Sequence, residues 1–173
     1  MRPAIRNDHP IRGLFSGLVE NAFFTELGFC EPRLTTYLCD LMVDFLHVDR
    51  LDVLRSAFGR SLEQMAALLA LKHDVAPLSL EQRDRLMYRH IGDFTLFWAG
   101  IFPEHLRSRR SGDLLCAYVE QGKRSYAACA RLSQDQDVPP PTLLNSLSEE
   151  FETCVHGLGL VRRSWQRAGG AEG

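Results

Sequence analysis

Apolar side chains recur three and four residues apart along almost the whole of this chain, and no segment sustains the apolar–polar alternation of a strand. A helix turns about 100° per residue, so this spacing gathers the apolar residues into one stripe per helix. A chain built of such stripes hides them by packing helix on helix. The expected fold is all-α, a single-domain bundle of six or seven helices. With 173 residues, 45% of them hydrophobic, the chain has enough apolar surface for one sizeable core and is not disordered overall.

The stripes place the elements. Ile11, Leu14, Phe15, Leu18, Val19 and Ala22 form the first, and Gly28 reads as its C-cap. Pro32 suits the first turn of a helix near 32–48, with Leu34, Tyr37, Leu38, Leu41, Met42, Phe45 and Val48 on one side. A short piece follows at 51–58. The string SLEQ occurs at 61–64 and again at 79–82. The residues after the two copies differ, so they mark two capping boxes, and hence two helix starts, rather than a repeat. These helices are expected at 62–72 and 80–102, with Pro77 breaking the loop between them. Another helix is expected over 113–132. SQDQDVPPP then makes a proline-rich linker at 133–141. The last helix is expected over 142–165. Its stripe is long, and the linker leaves open whether it docks on its own core or on a second copy of the chain. Residues 1–10 read as a flexible start, 11–166 as the helical domain and 167–173 as a frayed tail.

The helix at 80–102 is the expected centre. Its angular projection sets His90, Phe94, Phe97, Trp98 and Ile101 on one face, with Arg83 among them and Asp93 at the edge. Gly92, Thr95, Leu96, Ala99 and Gly100 fall on the other face, where small residues admit a close neighbour. A histidine set among aromatic side chains is either a core residue, bonded to Asp93 or to a carbonyl, or a working group of a pocket. The candidate pocket lies between this helix and 113–132. His90, Phe94, Trp98 and Tyr118 would line it, with Asp93 and Arg83 as its polar groups.

Other constellations carry less. Arg107, Arg109 and Arg110 precede a helix start and form a candidate anion-binding cluster. Asp40, Asp44 and His47 share a face opposite their helix's stripe, which argues for water rather than a metal. Glu152 and His156 face solvent by the same reasoning, and Gly122 lies on a buried stripe where close backbone contact is expected. Cys30, Cys39, Cys116, Cys129 and Cys154 are odd in number and scattered, so free, mostly buried thiols are expected and a zinc site is not. No cofactor fingerprint, nucleophile elbow or phosphate loop is present. A net charge of −2 gives no electrostatic reason to expect nucleic acid. No stretch reaches the roughly 20 apolar residues of a membrane helix, and the start has no signal-like apolar run, so the cytoplasm is the expected compartment.

The segments IGDFTLFWAGIFPEHL at 91–106 and YLCDLMVDFLHVDRL at 37–51 resemble a family of uncharacterised bacterial all-helical proteins. The shared pattern is carried here by Gly92, Asp93, Leu96, Phe97, Gly100, Phe102, Pro103 and Glu104. The resemblance spans about 11–132. It implies a bacterial helical protein and brings no activity and no catalytic residue. Three functional expectations follow from the sequence. The first is a non-catalytic protein acting through a protein partner or as a homodimer. The second is a bundle binding a small hydrophobic molecule around His90, and the third an enzyme using His90 and Asp93 as an acid–base pair.

Overall fold

The computed structural model describes residues 10–46, 78–107 and 114–169. Over these residues the chain is an all-α bundle of seven α-helices, with no strand among them. They are α1 (Pro10–Glu20), α2 (Pro32–Leu46), α3 (Leu80–Ile101), α4 (Pro103–Leu106), α5 (Leu114–Arg131), α6 (Pro141–Glu149) and α7 (Phe151–Gly169). The short helices expected at 51–58 and 62–72, and the first SLEQ capping box, lie outside the described residues. None of the described helices is long and apolar enough to cross a membrane.

Local chemistry sets the helix ends. Ser79 Oγ accepts from Gln82 N at 3.2 Å, while Gln82 Oε1 accepts from Ser79 N at 3.0 Å. This completes the expected capping box at the start of α3. Pro32, Pro103 and Pro141 each stand at the first position of a helix, where a missing N–H costs nothing. Gly28 closes the first helical stretch with φ of 65°, a conformation a side chain would strain. Just before it, α1 widens into a π-helical segment, Asn21–Glu26, which turns Phe23 fully into the core.

One hydrophobic core draws residues from every helix. The centre is α3, as expected, but its principal neighbours are α5 and α7, and α2 touches it more lightly. The glycine positions explain the closeness. A Cβ on Gly92 would lie 2.7 Å from Tyr126 of α5, and one on Gly100 would lie 2.6 Å from Leu158 of α7. Both approaches use the small-residue face read from the sequence. On the other side of α3, the Phe97 ring stacks on Phe45 of α2, 4.7 Å between centroids.

The last expected helix is in fact two. The chain turns at Glu150, so α6 and α7 meet at an angle rather than running on as one stripe. The two halves pack on different partners, α6 chiefly on α5 and α7 chiefly on α3, and Phe151, Cys154, Leu158 and Val161 are fully buried. Most of the stripe is thus consumed by the chain's own core, while Trp165 at its end meets Phe15 of α1 and stays 37% exposed, and α7 continues to Gly169, into the expected tail.

The proline-rich connection is also fixed. Arg85 Nε donates to Ser133 Oγ at 2.7 Å, its Nη2 donates to the Pro139 carbonyl at 3.3 Å, and Asp137 sits 3.6 Å away as its counter-charge. Asp137 also accepts from Gln134 N at 2.7 Å, closing the turn. From the far side, Arg33 Nη2 donates to Thr142 Oγ1 at 3.0 Å and ties α2 to α6. Residues 138–143 therefore stand as a wall beside α2 and α3.

Candidate functional site

Asp93 lies on the flank of α3 that faces α2 and α5. Tyr126 of α5 donates its hydroxyl to Asp93 Oδ1 at 2.7 Å, and Tyr37 of α2 donates to the same oxygen at 2.5 Å. Arg89, one turn earlier on α3, faces Asp93 Oδ2 at 3.8 Å and donates from Nε to the Tyr37 oxygen at 3.4 Å. Three helices therefore meet on one carboxylate. Tyr126 is fully buried and Tyr37 nearly so. A buried phenol is rarely left without a partner, and here both partners are the same acid.

The electrostatics follow from this burial. Desolvation pushes the Asp93 carboxyl above its usual range, and Arg89 and the two tyrosine hydrogen bonds, which favour the charged form, offset only part of that. Burial and the neighbouring Asp93 charge drive both phenols well above the ordinary tyrosine value, so they stay protonated as donors. For Arg89, burial opposes the charge, but the Tyr37 oxygen and Asp93 prevail and hold the guanidinium cationic.

The group is not sealed. A cleft of about 200 Å³ lies between α2, the Asp93 flank of α3 and the 138–143 wall. Its lining is apolar at Leu41, Phe45, Pro139 and Leu143, and polar at Arg33, Tyr37, Asp40, Asp44, Arg89 and Asp93. The Arg89 side chain keeps 33% of its exposure and Asp93 keeps 13%, so both reach the cleft from below.

The residues singled out in the sequence divide between two sides of α3. Phe94 and Trp98 are buried as expected, with rings 6.0 Å apart, and Tyr118 of α5 meets Phe94 at 6.2 Å. Trp98 also meets Phe102 and, edge-on, His105, which extends this aromatic side into α4. His90 is partly buried. Asp93, expected as the polar group of that pocket, instead gives its carboxylate to Tyr37, Tyr126 and Arg89. Three residues along a helix leave two side chains about 60° apart around the axis, enough to send them to different neighbours. Arg83 lies on the exposed first part of α3. Arg107 is exposed just after α4, and Arg109 and Arg110 lie outside the described residues. Asp40 forms an ion pair with Arg12 of α1, Asp44 is exposed and His47 lies outside the described residues.

Tyr37, Arg89 and Tyr126 were not recognised as site residues from the sequence. A signal for them exists: Arg89 and Asp93 are four apart on α3, and each tyrosine lies on an apolar stripe where its hydroxyl needs a buried acceptor.

The fold and this site define an all-helical bundle with a charged, tyrosine-clasped cleft between three of its helices. Comparison of the chain with protein-family models, curated proteins and solved structures gives no match.

Proposed function

We propose that this protein is a non-catalytic helical bundle that binds a small molecule in the cleft over Arg89 and Asp93. The observation that supports this is a charged pair held at the floor of an open, mostly apolar cleft. A helix interface alone does not call for such a pair. Replacing buried ions with apolar residues is commonly neutral or stabilising, so an acid kept under a desolvation cost beside a cavity marks a candidate site. The form of the cleft, apolar walls with a few convergent polar groups, is that of small-ligand sites.

The site differs from the one expected around His90, but the class of function is the second of the three read from the sequence. The protein-partner and homodimer reading drew on the long stripe of the last helix, most of which α7 buries in its own core, with Trp165 left 37% exposed. The acid–base reading needed Asp93 beside His90, and its carboxylate is engaged by two phenols and a guanidinium.

A fragment screen followed by ¹H–¹⁵N NMR tests the proposal. Hits are expected to move the amide signals of residues 36–45 and 89–93 and of Val138, Thr142 and Leu143 together. A screen whose hits cluster elsewhere, or that gives no hits, would contradict it.

A further inference from the structure

The engagement of Arg89 is one-sided. Its Nε is taken by Tyr37 and Asp93, and its Cζ lies 5.7 Å from the centroid of the Tyr37 ring. Among the described residues neither terminal nitrogen is hydrogen-bonded or ion-paired. A guanidinium presents its donors as a planar fork, and the fork matches a carboxylate with two parallel hydrogen bonds. Here the inner edge of the fork is occupied and the outer edge belongs to a residue that lines the cleft. Asp40 of α2, which also lines the cleft, is ion-paired with Arg12.

The rest of the lining narrows the ligand. Leu41, Phe45, Pro139 and Leu143 offer apolar contact. The cleft's lining carries Asp40, Asp44 and Asp93 against Arg33 and Arg89, a balance that disfavours a dianion such as phosphate. We infer that Arg89 anchors a small monocarboxylate whose apolar body lies against α2 and the 138–143 wall. This inference rests on the cleft being a ligand site.

The test is an NMR titration with 4-methylpentanoate, its neutral isostere 4-methylpentanamide and inorganic phosphate. It uses the full chain, Arg89→Lys, and Val138→Trp at the cleft's rim, where Val138 is 82% exposed and its replacement leaves the core intact. The carboxylate is expected to bind at least tenfold more tightly than the amide, with phosphate not competing. Arg89→Lys, which keeps the charge and loses the fork, is expected to weaken it at least tenfold, and Val138→Trp to block it. If Arg89→Lys does not fold, the carboxylate–amide comparison and Val138→Trp decide. Equal binding of the amide, preferential binding of phosphate, or an unchanged affinity in folded Arg89→Lys would overturn the carboxylate anchor and leave the cleft as a site for another class. Failure of the carboxylate while other fragments map to the cleft overturns the anchor alone. Failure of the carboxylate and of every fragment there overturns the cleft as well.

Discussion

Tyr126 does two things to neighbouring positions of α3: its ring covers the bare Cα of Gly92, and its hydroxyl donates to Asp93 Oδ1 at 2.7 Å. The two contacts depend on each other. A side chain at residue 92 would push the ring away and carry the hydroxyl off the carboxylate.

Removing either phenolic hydroxyl leaves the acid short of a donor in a site with little water. A hydrogen bond to a charged group contributes about 1.5–3 kcal/mol. Tyr126→Phe is expected to destabilise the fold by about that much, measured by urea denaturation. Tyr37→Phe is expected to cost less, because Tyr37 lines the open cleft, where water can take the place of its hydroxyl, and Tyr126 does not. Equal stability of Tyr126→Phe and the parent chain would count against the network.

The pH dependence has a definite sign. Burial raises the Asp93 carboxyl above its unfolded value. A group whose folded pKa is raised contributes stability that is full below the unfolded value, about 3.9 for aspartate, and that fades as pH climbs through the folded value. Asp93→Asn cannot titrate. The stability gap between the parent chain and Asp93→Asn is therefore expected to shrink as pH rises from below 4 towards neutrality. Denaturation curves collected across that window check it, and a gap that widens with pH would contradict the direction.

Glycine positions separate close packing from open surface. A Cβ on Gly157 would lie 2.1 Å from the Phe23 ring, and one on Gly122 would lie 2.3 Å from Phe151 and 2.5 Å from Thr95 Oγ1. Gly157→Ala and Gly122→Ala are each expected to cost about 1–3 kcal/mol through overpacking. On α1, a Cβ on Gly17 meets nothing within 4 Å. Gly17→Ala is expected to gain about 0.5–1 kcal/mol from helix propensity alone. Thermal melts of the three variants should move in these opposite directions.

Thiol chemistry reads burial independently. Cys39, Cys129 and Cys154 are buried and burial pushes their thiols up, whereas Cys30 and Cys116 are exposed. A thiol reagent under native conditions is expected to label Cys30 and Cys116 quickly. The other three should react only as fast as the fold opens. Rapid labelling of Cys154 would contradict the docking of α7.

Much of this architecture was legible in the residues. The SLEQ box at 79–82, Pro32 at a helix start and the two-sided character of α3 follow from local rules, and the structure has them, whereas Pro103 and Pro141, read as a helix end and as linker, open helices of their own. Each residue of the Gly92–Glu104 pattern has a placement: Gly92 under Tyr126, Asp93 between two phenols, Leu96 and Phe97 in the core, Gly100 under Leu158, Phe102 and Pro103 at the break, and Glu104 paired with Arg162 at 2.7 Å. The site was less legible because it is non-local. Tyr37 lies 56 residues from Asp93 in sequence and Tyr126 lies 33 away. No periodicity within one helix tells which neighbour a side chain on the edge of its stripe will meet. The split at Glu150 was hidden for a related reason: the apolar stripe runs on from Leu143 to Trp165 with no proline or glycine at the break, and the two halves pack on different partners.

Everything proposed for the cleft depends on Asp93 being a desolvated acid clasped by two tyrosine hydroxyls. A carboxyl-¹³C titration of the aspartate side chains reads this most directly. The Asp93 midpoint is expected above the ordinary aspartate value of about 3.9, and higher again in Tyr126→Phe, where a hydrogen bond favouring the charged form is gone. An ordinary midpoint that Tyr126→Phe leaves unmoved would contradict it.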